Sequence, residues 1–332
     1  MRLLILIFIT CLIAPAIAQT TYRDQLTNRL KTETDQKGYL LRLSKSEQSS
    51  KKLATVCYEL GQVYRNEAQI DSSEMYYRKS LRYARRVSKS NQDLGRAYEK
   101  IGMVFFDRGE LDSALFYVEK SLSYFKDQEL KAGALNRLGL INKYMSNPDV
   151  AIGHFLKALE IYQKEKDTAN QVMVYSNVGA LYRQLKDYRK GREYLLIGLD
   201  LAGDNEAYDK GRFLCQSNLA SIYMLEKNFS GAIDLYTELI SHSREQEQYL
   251  KLIVNQSNLA GCYAELGEDR KALTQFLGIL KTMDERGIEK NKEAILANTA
   301  FCYEGLQNYD KALEFYHRAL RMAKSKKISV LY

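Results

Sequence analysis

Four asparagines recur along this chain at an almost constant spacing. They are Asn177, Asn218, Asn258 and Asn298. The steps between them are 41, 40 and 40 residues, and Ser217 and Ser257 precede the second and the third. A carboxamide both donates and accepts hydrogen bonds, so it can bind the backbone of an extended peptide without reading its side chains. The spacing therefore predicts a row of peptide-binding groups on a repeated unit.

Residues that carry catalytic or metal chemistry are sparse. The chain contains three histidines, His154, His242 and His317, and none has a ligand partner at metal-binding spacing. There is no glycine-rich phosphate loop and no nucleophile elbow. The carboxylates form no pair that differs from ordinary surface charge. The sequence therefore predicts no cofactor, no metal site and no small-molecule substrate, and it disfavours an enzyme.

The asparagines belong to a longer repeat that is marked by a small residue. This residue stands at Gly61, Gly102, Gly139, Gly179, Ala220, Ala260 and Ala300. An aromatic residue follows three positions later in six of the seven copies, and a second small residue follows twelve positions later. A fixed step near 40 residues indicates one supersecondary unit that is copied along the chain.

The spacings inside each copy are helical. In the first half of one copy, the positions i, i+3, i+4 and i+7 are Tyr175, Val178, Gly179 and Tyr182. In the second half of a later copy, a similar stripe is formed by Ala272, Phe276 and Ile279. Turns rich in glycine, asparagine and aspartate separate the halves, as at 307–310. Each copy is therefore predicted to be two antiparallel helices.

This pattern resembles the tetratricopeptide repeat. The signature positions of the last copy are Leu296, Thr299, Ala300, Tyr303, Ala312, Tyr316 and Ala319. Thr299 replaces the usual leucine, the closing proline is absent, and the period is longer than the usual ~34 residues. The resemblance implies an all-α fold, a right-handed superhelical solenoid of about seven helix-turn-helix repeats.

Four segments are predicted along the chain. Residues 1–18 are apolar after a charged start and end in a small-x-small cleavage site, which indicates a signal peptide. Residues 19–52 are interpreted as an N-terminal helical cap, 53–325 as the array of seven repeats, and 326–332 as the start of a further, incomplete repeat. The apolar run is shorter than the ~20 residues that span a bilayer. We therefore expect an exported, periplasmic protein that is soluble after signal cleavage.

The face that carries the asparagines is the predicted binding surface. At about 100° per residue, Asn177 points away from the packed stripe of its helix. In tetratricopeptide arrays this face lines a concave groove, so the resemblance implies that a peptide or protein partner binds there. The binding residues would be the four asparagines with Ser217 and Ser257. The alternative is that the asparagines bond to the neighbouring repeat and only stiffen the stack.

Charge adds a second element to this surface. The chain has a formal net charge of +8, and basic residues concentrate on the same face of the early repeats. We hypothesise that Arg137 and Arg183 bind an acidic segment of the partner there. Basic clusters elsewhere, such as 82–86, are interpreted as solvated helix faces. No nucleic-acid-binding motif occurs, so no nucleic-acid partner is predicted.

Two functions fit these features. The first is an exported, non-catalytic scaffold that binds a peptide or protein in its groove. The second is the extracytoplasmic sensor region of a longer transmembrane signalling protein, such as a histidine kinase or a transcription regulator, which exported arrays of this kind resemble. The apolar end at 328–331 favours this sensor function, because the repeat period predicts that a new first helix starts there. Contact with a membrane is predicted only if the chain continues beyond residue 332.

Overall fold

The computed structural model describes residues 21–87 and 92–329, with side chains described up to residue 324. The predicted signal peptide and residues 330–332 of the incomplete repeat lie outside the described residues. Within them all regular structure is helical and no β-strand occurs, which confirms the all-α prediction. None of the helices found there has the length and apolar character needed to cross a membrane.

The chain divides into two compact units, which meet between Asn147 and Pro148. The helices of unit 1 are α1 (Tyr22–Thr32), α2 (Gln36–Ser46), α3 (Ser50–Asn66), α4 (Ile70–Val87), α5 (Gln92–Asp107), α6 (Leu111–Leu122) and α7 (Gln128–Tyr144). Those of unit 2 are α8 (Pro148–Lys164), α9 (Thr168–Gln184), α10 (Tyr188–Ala202), α11 (Asp209–Leu225), α12 (Phe229–Glu245), α13 (Tyr249–Glu265), α14 (Asp269–Arg286), α15 (Lys292–Gly305) and α16 (Tyr309–Ser329).

Within each unit, neighbouring helices pair into hairpins and successive hairpins pack on one another. In unit 1, α3 pairs with α4 and α5 with α6, while α4 contacts α5 and α6 contacts α7. Unit 2 repeats the arrangement with α9 and α10, α11 and α12, α13 and α14, and α15 and α16. The helix-turn-helix repeats predicted from the spacing are therefore present. We call the helix that carries the repeated small residue the first helix of each hairpin, and the helix after it the second.

The turn inside each repeat has the same backbone conformation. A residue with positive φ lies seven positions after the repeated small residue, at Ala68, Gly109, Ser146, Lys186, Lys227, Gly267 and Gln307. At Lys186 the turn is closed by a bond from the Asp187 N–H to the Tyr182 carbonyl oxygen, 3.0 Å. The Asp187 carboxylate then accepts from the Lys190 N–H and caps α10. One short segment therefore ends one helix and starts the next.

Gly267 is expected to be needed for its backbone conformation alone. Its φ is +72°, and an added Cβ would meet no atom within 4 Å. Gly267→Ala should lower the free energy of unfolding by about 1 kcal/mol, because a residue with a Cβ is strained in the left-handed region. The control Gly261→Ala lies inside α13 with the same open surroundings, and it should raise this energy by about 0.5–1 kcal/mol. Urea denaturation measures the free energy of unfolding of both variants. If the two substitutions changed it in the same direction, the left-handed conformation of Gly267 would not explain the effect.

The repeated small residues let the two helices of a hairpin approach closely. A Cβ added at Gly61 would lie 2.6 Å from the ring of Tyr77, and one added at Gly179 would lie 2.4 Å from Cγ of Leu195. Tyr77 and Leu195 are both fully buried. In the first of these hairpins the Ser73 hydroxyl also donates to the Gly61 carbonyl oxygen at 2.8 Å. The small residues are therefore required by packing between the helices.

Candidate functional site

The four asparagines occupy equivalent positions on successive first helices of unit 2. They are Asn177 on α9, Asn218 on α11, Asn258 on α13 and Asn298 on α15. Each lies two residues before the repeated small residue. The first three are half-buried and the fourth is exposed. The fold therefore presents one carboxamide per hairpin, with differing access to solvent.

Two of these asparagines bond to the preceding hairpin. The Asn218 amide donates to Oγ of Ser176 at 3.2 Å and to the carbonyl oxygen of Leu214 in its own helix at 3.0 Å. The Asn258 side chain hydrogen-bonds that of Tyr236 on α12. The Tyr236 phenol is fully buried and lies 3.2 Å from Oγ of Ser221. These contacts link one repeat to the next, as the stiffening alternative requires.

The remaining members of the series differ in their surroundings. Asn298 is exposed, and its side chain makes no hydrogen bond with any residue that the structure describes. Ser217 and Ser257 are half-buried beside the asparagines. The Ser217 carbonyl oxygen accepts a bond from the Ser221 hydroxyl at 2.9 Å. The carboxamide at Asn298 is thus the one most open to an incoming ligand.

The charged residues of the early repeats form ion pairs between repeats. In unit 1, Nε of Arg137 on α7 lies 2.5 Å from Oε1 of Glu99 on α5, and its Nη1 donates to the Gly133 carbonyl oxygen at 2.8 Å. Arg65 on α3 binds both carboxylate oxygens of Asp107 on α5, at 2.5 and 2.9 Å. Each pair joins residues about one period apart. Opposite charges at that spacing are the sequence signal that would have revealed them.

Lys100 on α5 is a cation of this face that the sequence analysis did not single out as a site. It forms no ion pair with a carboxylate within the described ranges, and its Nζ lies 5.7 Å from the centroid of the Tyr58 ring. Burial, with the charges of Arg137 and Arg65, lowers the pKa of Lys100 to about 8 although Glu99 opposes the shift. Burial also raises the pKa of the Tyr58 phenol. Lys100 is therefore influenced by nearby carboxylates but makes no direct salt bridge with one.

Arg183 lies in unit 2, on α9, and is half-buried. Its Nε is buried and has no hydrogen-bond partner among the described residues. Arg137 belongs to unit 1, and its guanidinium already pairs with Glu99. The two arginines of the predicted acidic-partner site therefore have different local environments, each within its own unit.

The three histidines lie on three separate helices: His154 on α8, His242 on α12 and His317 on α16. Burial, assisted by the charge of Lys157, lowers the pKa of His154. His242 lies against the ring of Phe213, with centroids 5.7 Å apart. Across the part of the chain that the structure describes, no three His, Cys, Asp or Glu side chains are placed to hold a metal ion.

Comparison with known proteins identifies the protein family. Family models described as "Tetratricopeptide repeat" match residues 53–127, 130–202 and 296–328, together more than half of the chain. The chain therefore belongs to the tetratricopeptide-repeat family, as the resemblance implied.

A curated relative and two solved structures illustrate the similarity. Response regulator aspartate phosphatase J of Bacillus subtilis is 27% identical over 135 residues, which cover 39% of this chain and 35% of the relative. A Rap protein complexed with competence and sporulation factor superposes with a TM-score of 0.60 at 16% identity, covering 91% of this chain and 84% of that one.

The second structure is a signal transduction ATPase (STAND) protein of Pyrococcus horikoshii that has a tetratricopeptide repeat sensor. It superposes with a TM-score of 0.63 at 18% identity and covers 92% of this chain and 49% of that one. The chain spans between about a third and a half of the length of the curated relatives it matches. The repeat family and these neighbours indicate a protein-binding scaffold.

Proposed function

We propose that this protein binds a peptide or protein partner on the face of its first helices and performs no catalysis. The observation that carries the proposal is the exposed carboxamide of Asn298 at the end of a row of equivalent asparagines in unit 2. A carboxamide can pair with both the N–H and the C=O of an extended backbone. Unit 1 contributes Lys100, which makes no salt bridge with a described carboxylate and would favour a partner with acidic residues.

Similar proteins support a protein partner in general. The Rap protein of similar fold is complexed with competence and sporulation factor. Each backbone hydrogen bond contributes only about 0.5–1.5 kcal/mol. Even if all four asparagines bound the partner they would supply only a few kcal/mol, and Asn218 and Asn258 already bond within the protein. Side-chain contacts must supply the rest of a micromolar affinity, which needs about 8 kcal/mol.

The test uses a linear peptide that the purified full chain selects from a displayed random library. Asn258→Ala with Asn298→Ala should weaken binding of that peptide by roughly 5- to 100-fold, because two hydrogen bonds are lost. Gln275→Ala is the matched control, since it removes a half-buried carboxamide from α14, a second helix. Isothermal titration calorimetry measures the three affinities.

Two results would refute this site. One is an unchanged affinity of the double asparagine variant whose helical circular dichroism matches the wild type. The other is an equal loss of affinity in Gln275→Ala. Selection of peptides without acidic residues would exclude the contribution of Lys100, and it would leave the asparagine row to explain the affinity.

We further propose that the protein is exported, on the strength of the apolar segment 1–18 and its cleavage site. Expression with the native N-terminus in a bacterial host should give a periplasmic product that begins at Gln19. Mass spectrometry of the intact product determines this directly. A cytoplasmic product that retains residue 1 would exclude export.

The sensor function is the second candidate. The observation that favours it is the archaeal neighbour, whose tetratricopeptide repeats are described as a sensor. A reading frame that continues beyond residue 332 into about 20 apolar residues would support this candidate. A stop codon directly after residue 332 would exclude it and leave the free-standing scaffold.

The absence of catalysis is also a proposal, because one relative is named a phosphatase. It rests on the wide separation of the histidines over three helices. Incubation of the chain with a phosphorylated response-regulator receiver domain should leave the rate of phosphate loss unchanged. A rate that increases in proportion to the concentration of the chain would contradict it.

A further inference from the structure

A small pocket of unit 1 lies beside α4 and is strongly basic. It has a volume of about 150 Å³ and is lined by Ser44 of α2, Cys57 of α3, and Tyr76, Lys79, Arg82, Tyr83 and Arg86 of α4. No carboxylate lines it. The sequence analysis treated residues 82–86 as a solvated helix face, so this pocket became visible only when α2 and α3 were placed beside α4.

Three cations of the pocket lie on one stripe of α4. Lys79, Arg82 and Arg86 fall at i, i+3 and i+7, which places them on the same side of a helix. None of the three forms an ion pair with a carboxylate among the described residues. The residues left undescribed contain no aspartate or glutamate. Lys79 and Arg82 also line a neighbouring pocket with Asp71 and Glu74, but those carboxylates pair with Arg78 and Arg108. The three like charges are therefore held together without an ion pair of their own.

Tyrosine rings position two of these cations. Nζ of Lys79 lies 4.8 Å from the ring centroid of Tyr76, and the guanidinium carbon of Arg86 lies 5.4 Å from that of Tyr83. Tyr76 is buried and stacks on Tyr64 with centroids 5.1 Å apart. An aromatic face attracts a cation without neutralising it. Two of the three cations therefore lie against aromatic rings, which bring no negative charge to the pocket.

Other arginines near α4 have partners. Nε of Arg78 lies 2.6 Å from a Glu74 oxygen, and Arg108 contacts Glu74 at 2.5 Å and Asp71 at 2.7 Å. Arg85 donates to the phenol oxygen of Tyr98 at 2.6 Å. The lack of a partner is therefore particular to the pocket and is not a general property of this surface.

The pocket has the charge and the size of a site for a tetrahedral oxyanion. Guanidinium groups donate paired hydrogen bonds that match phosphate oxygens, and an ammonium adds a point charge. A volume of about 150 Å³ is several times the ~30 Å³ that one water occupies. It therefore has room for a phosphate group. The Ser44 hydroxyl donates to the Leu41 carbonyl oxygen at 2.8 Å, so the cations must supply the binding.

We propose that the pocket formed by Lys79, Arg82 and Arg86 binds a phosphate group, either inorganic phosphate or the phosphate end of a small monoester. The anion relieves the repulsion between the three cations and replaces the missing carboxylates. This site is separate from the asparagine face of unit 2, so its failure and that of the peptide site are distinguishable.

The experiment titrates the full chain with inorganic phosphate at constant ionic strength in a calorimeter. The wild type should bind one phosphate per chain, and Arg82→Gln with Arg86→Gln should bind it at least tenfold more weakly. Arg78→Gln is the control for charge, since it removes one positive charge from the same helix outside the pocket, against two in the double variant. Its affinity should stay within twofold of the wild type.

Thermal denaturation provides an independent readout. Arg82 and Arg86 are exposed, so the double variant should fold and, in phosphate-free buffer, melt no lower than the wild type. Phosphate should raise the melting temperature of the wild type and of Arg78→Gln, but not that of the double variant. If glycerol 3-phosphate binds as tightly as inorganic phosphate, the site is open and accepts phosphate esters. If only inorganic phosphate binds, the site is closed to esters.

The proposal is overturned if the wild type shows no saturable binding of phosphate. It is also overturned if Arg78→Gln loses as much affinity as the double variant, because the effect would then be one of overall charge. A double variant that retains the wild-type affinity would place the phosphate elsewhere and would equally exclude this pocket.

Discussion

Replacing Gly179 with alanine is expected to lower the free energy of unfolding by a net of about 1–2 kcal/mol. The new Cβ would lie 2.4 Å from Cγ of Leu195 and 3.2 Å from the Gly191 carbonyl oxygen. Leu195 is fully buried, so it cannot move away into solvent. Overpacking of this kind usually costs about 1–3 kcal/mol. It exceeds the gain of about 0.5–1 kcal/mol from replacing glycine by alanine inside a helix.

A double-mutant cycle tests the cause. Leu195→Ala alone should cost about 2–5 kcal/mol, because it leaves a cavity. The double variant should be more stable than the sum of the two changes predicts, by at least about 1 kcal/mol, since the added methyl group enters the space that the leucine leaves. Chemical denaturation of the wild type and the three variants gives the coupling energy.

The control for this cycle is Gly153→Ala. Gly153 lies within α8, and a Cβ there would meet no atom within 4 Å. This variant should be more stable than the wild type by about 0.5–1 kcal/mol. If Gly179→Ala were equally stabilised, or if the cycle were additive, close approach of α9 and α10 would not explain the small residue.

Replacing Lys100 with methionine is expected to stabilise the protein by about 1–3 kcal/mol at pH 7. Burial, with Arg137 and Arg65, outweighs the favourable charges of Glu99 and Glu59 and brings the pKa of Lys100 down to about 8. A full shift from 10.5 would correspond to about 3 kcal/mol, and partial exposure of the side chain to solvent reduces it. Methionine retains the length of the side chain without the charge.

The difference between wild type and Lys100→Met should depend on pH. Below pH 8 the lysine is charged in both the folded and the unfolded chain, so the folded wild type carries the full unfavourable free energy of burying the charge. Between pH 8 and 10 the folded chain has released the proton while the unfolded chain still binds it, so the wild type gains stability relative to the variant as pH rises. Urea unfolding at several pH values from 6 to 10 measures the change.

Comparison with the variant removes the contributions of other groups. Burial raises the pKa of the Cys57 thiol to about 11 and also raises that of Tyr77, which lowers the stability of both proteins at high pH. Lys51→Met, at an exposed position of α3, should change stability by less than about 0.5 kcal/mol at every pH. A Lys100→Met variant that is less stable than the wild type at pH 7 would contradict the assignment.

The repeat could be predicted because its determinants are local. The small residue at Gly179, the aromatic at Tyr182 and the turn at Lys186 lie within one helix and the turn after it. Their helical spacing is written in the order of residues, and seven copies reinforce it. The positive φ of Lys186 could not be predicted from its own type, since lysine has no preference for that conformation. Only its place in the repeat, seven positions after the small residue Gly179, assigns Lys186 to the turn.

The amide row was only partly predictable. The sequence places Asn218, Asn258 and Asn298 at one register, and the structure keeps that register. It also places Ser176 and Tyr236 against the first two, so that they link neighbouring hairpins, and it leaves Asn298 exposed. Whether any of them binds a peptide stays a prediction, as do the roles of Arg137 and Arg183.

The sequence by itself determined the helical hairpin and the close approach of its two helices, because both depend on residues fewer than about 20 positions apart. It also determined the period, because the same pattern recurs about every 40 residues. Only the tertiary structure decided which charges are paired. It brought Arg137 to Glu99, left Lys100 near Glu99 and Glu59 without a salt bridge, and placed three cations of α4 around one small pocket. The physical reason is that ion pairing and burial depend on how the side chains of one hairpin pack against those of the next, which the pattern within a single hairpin does not fix.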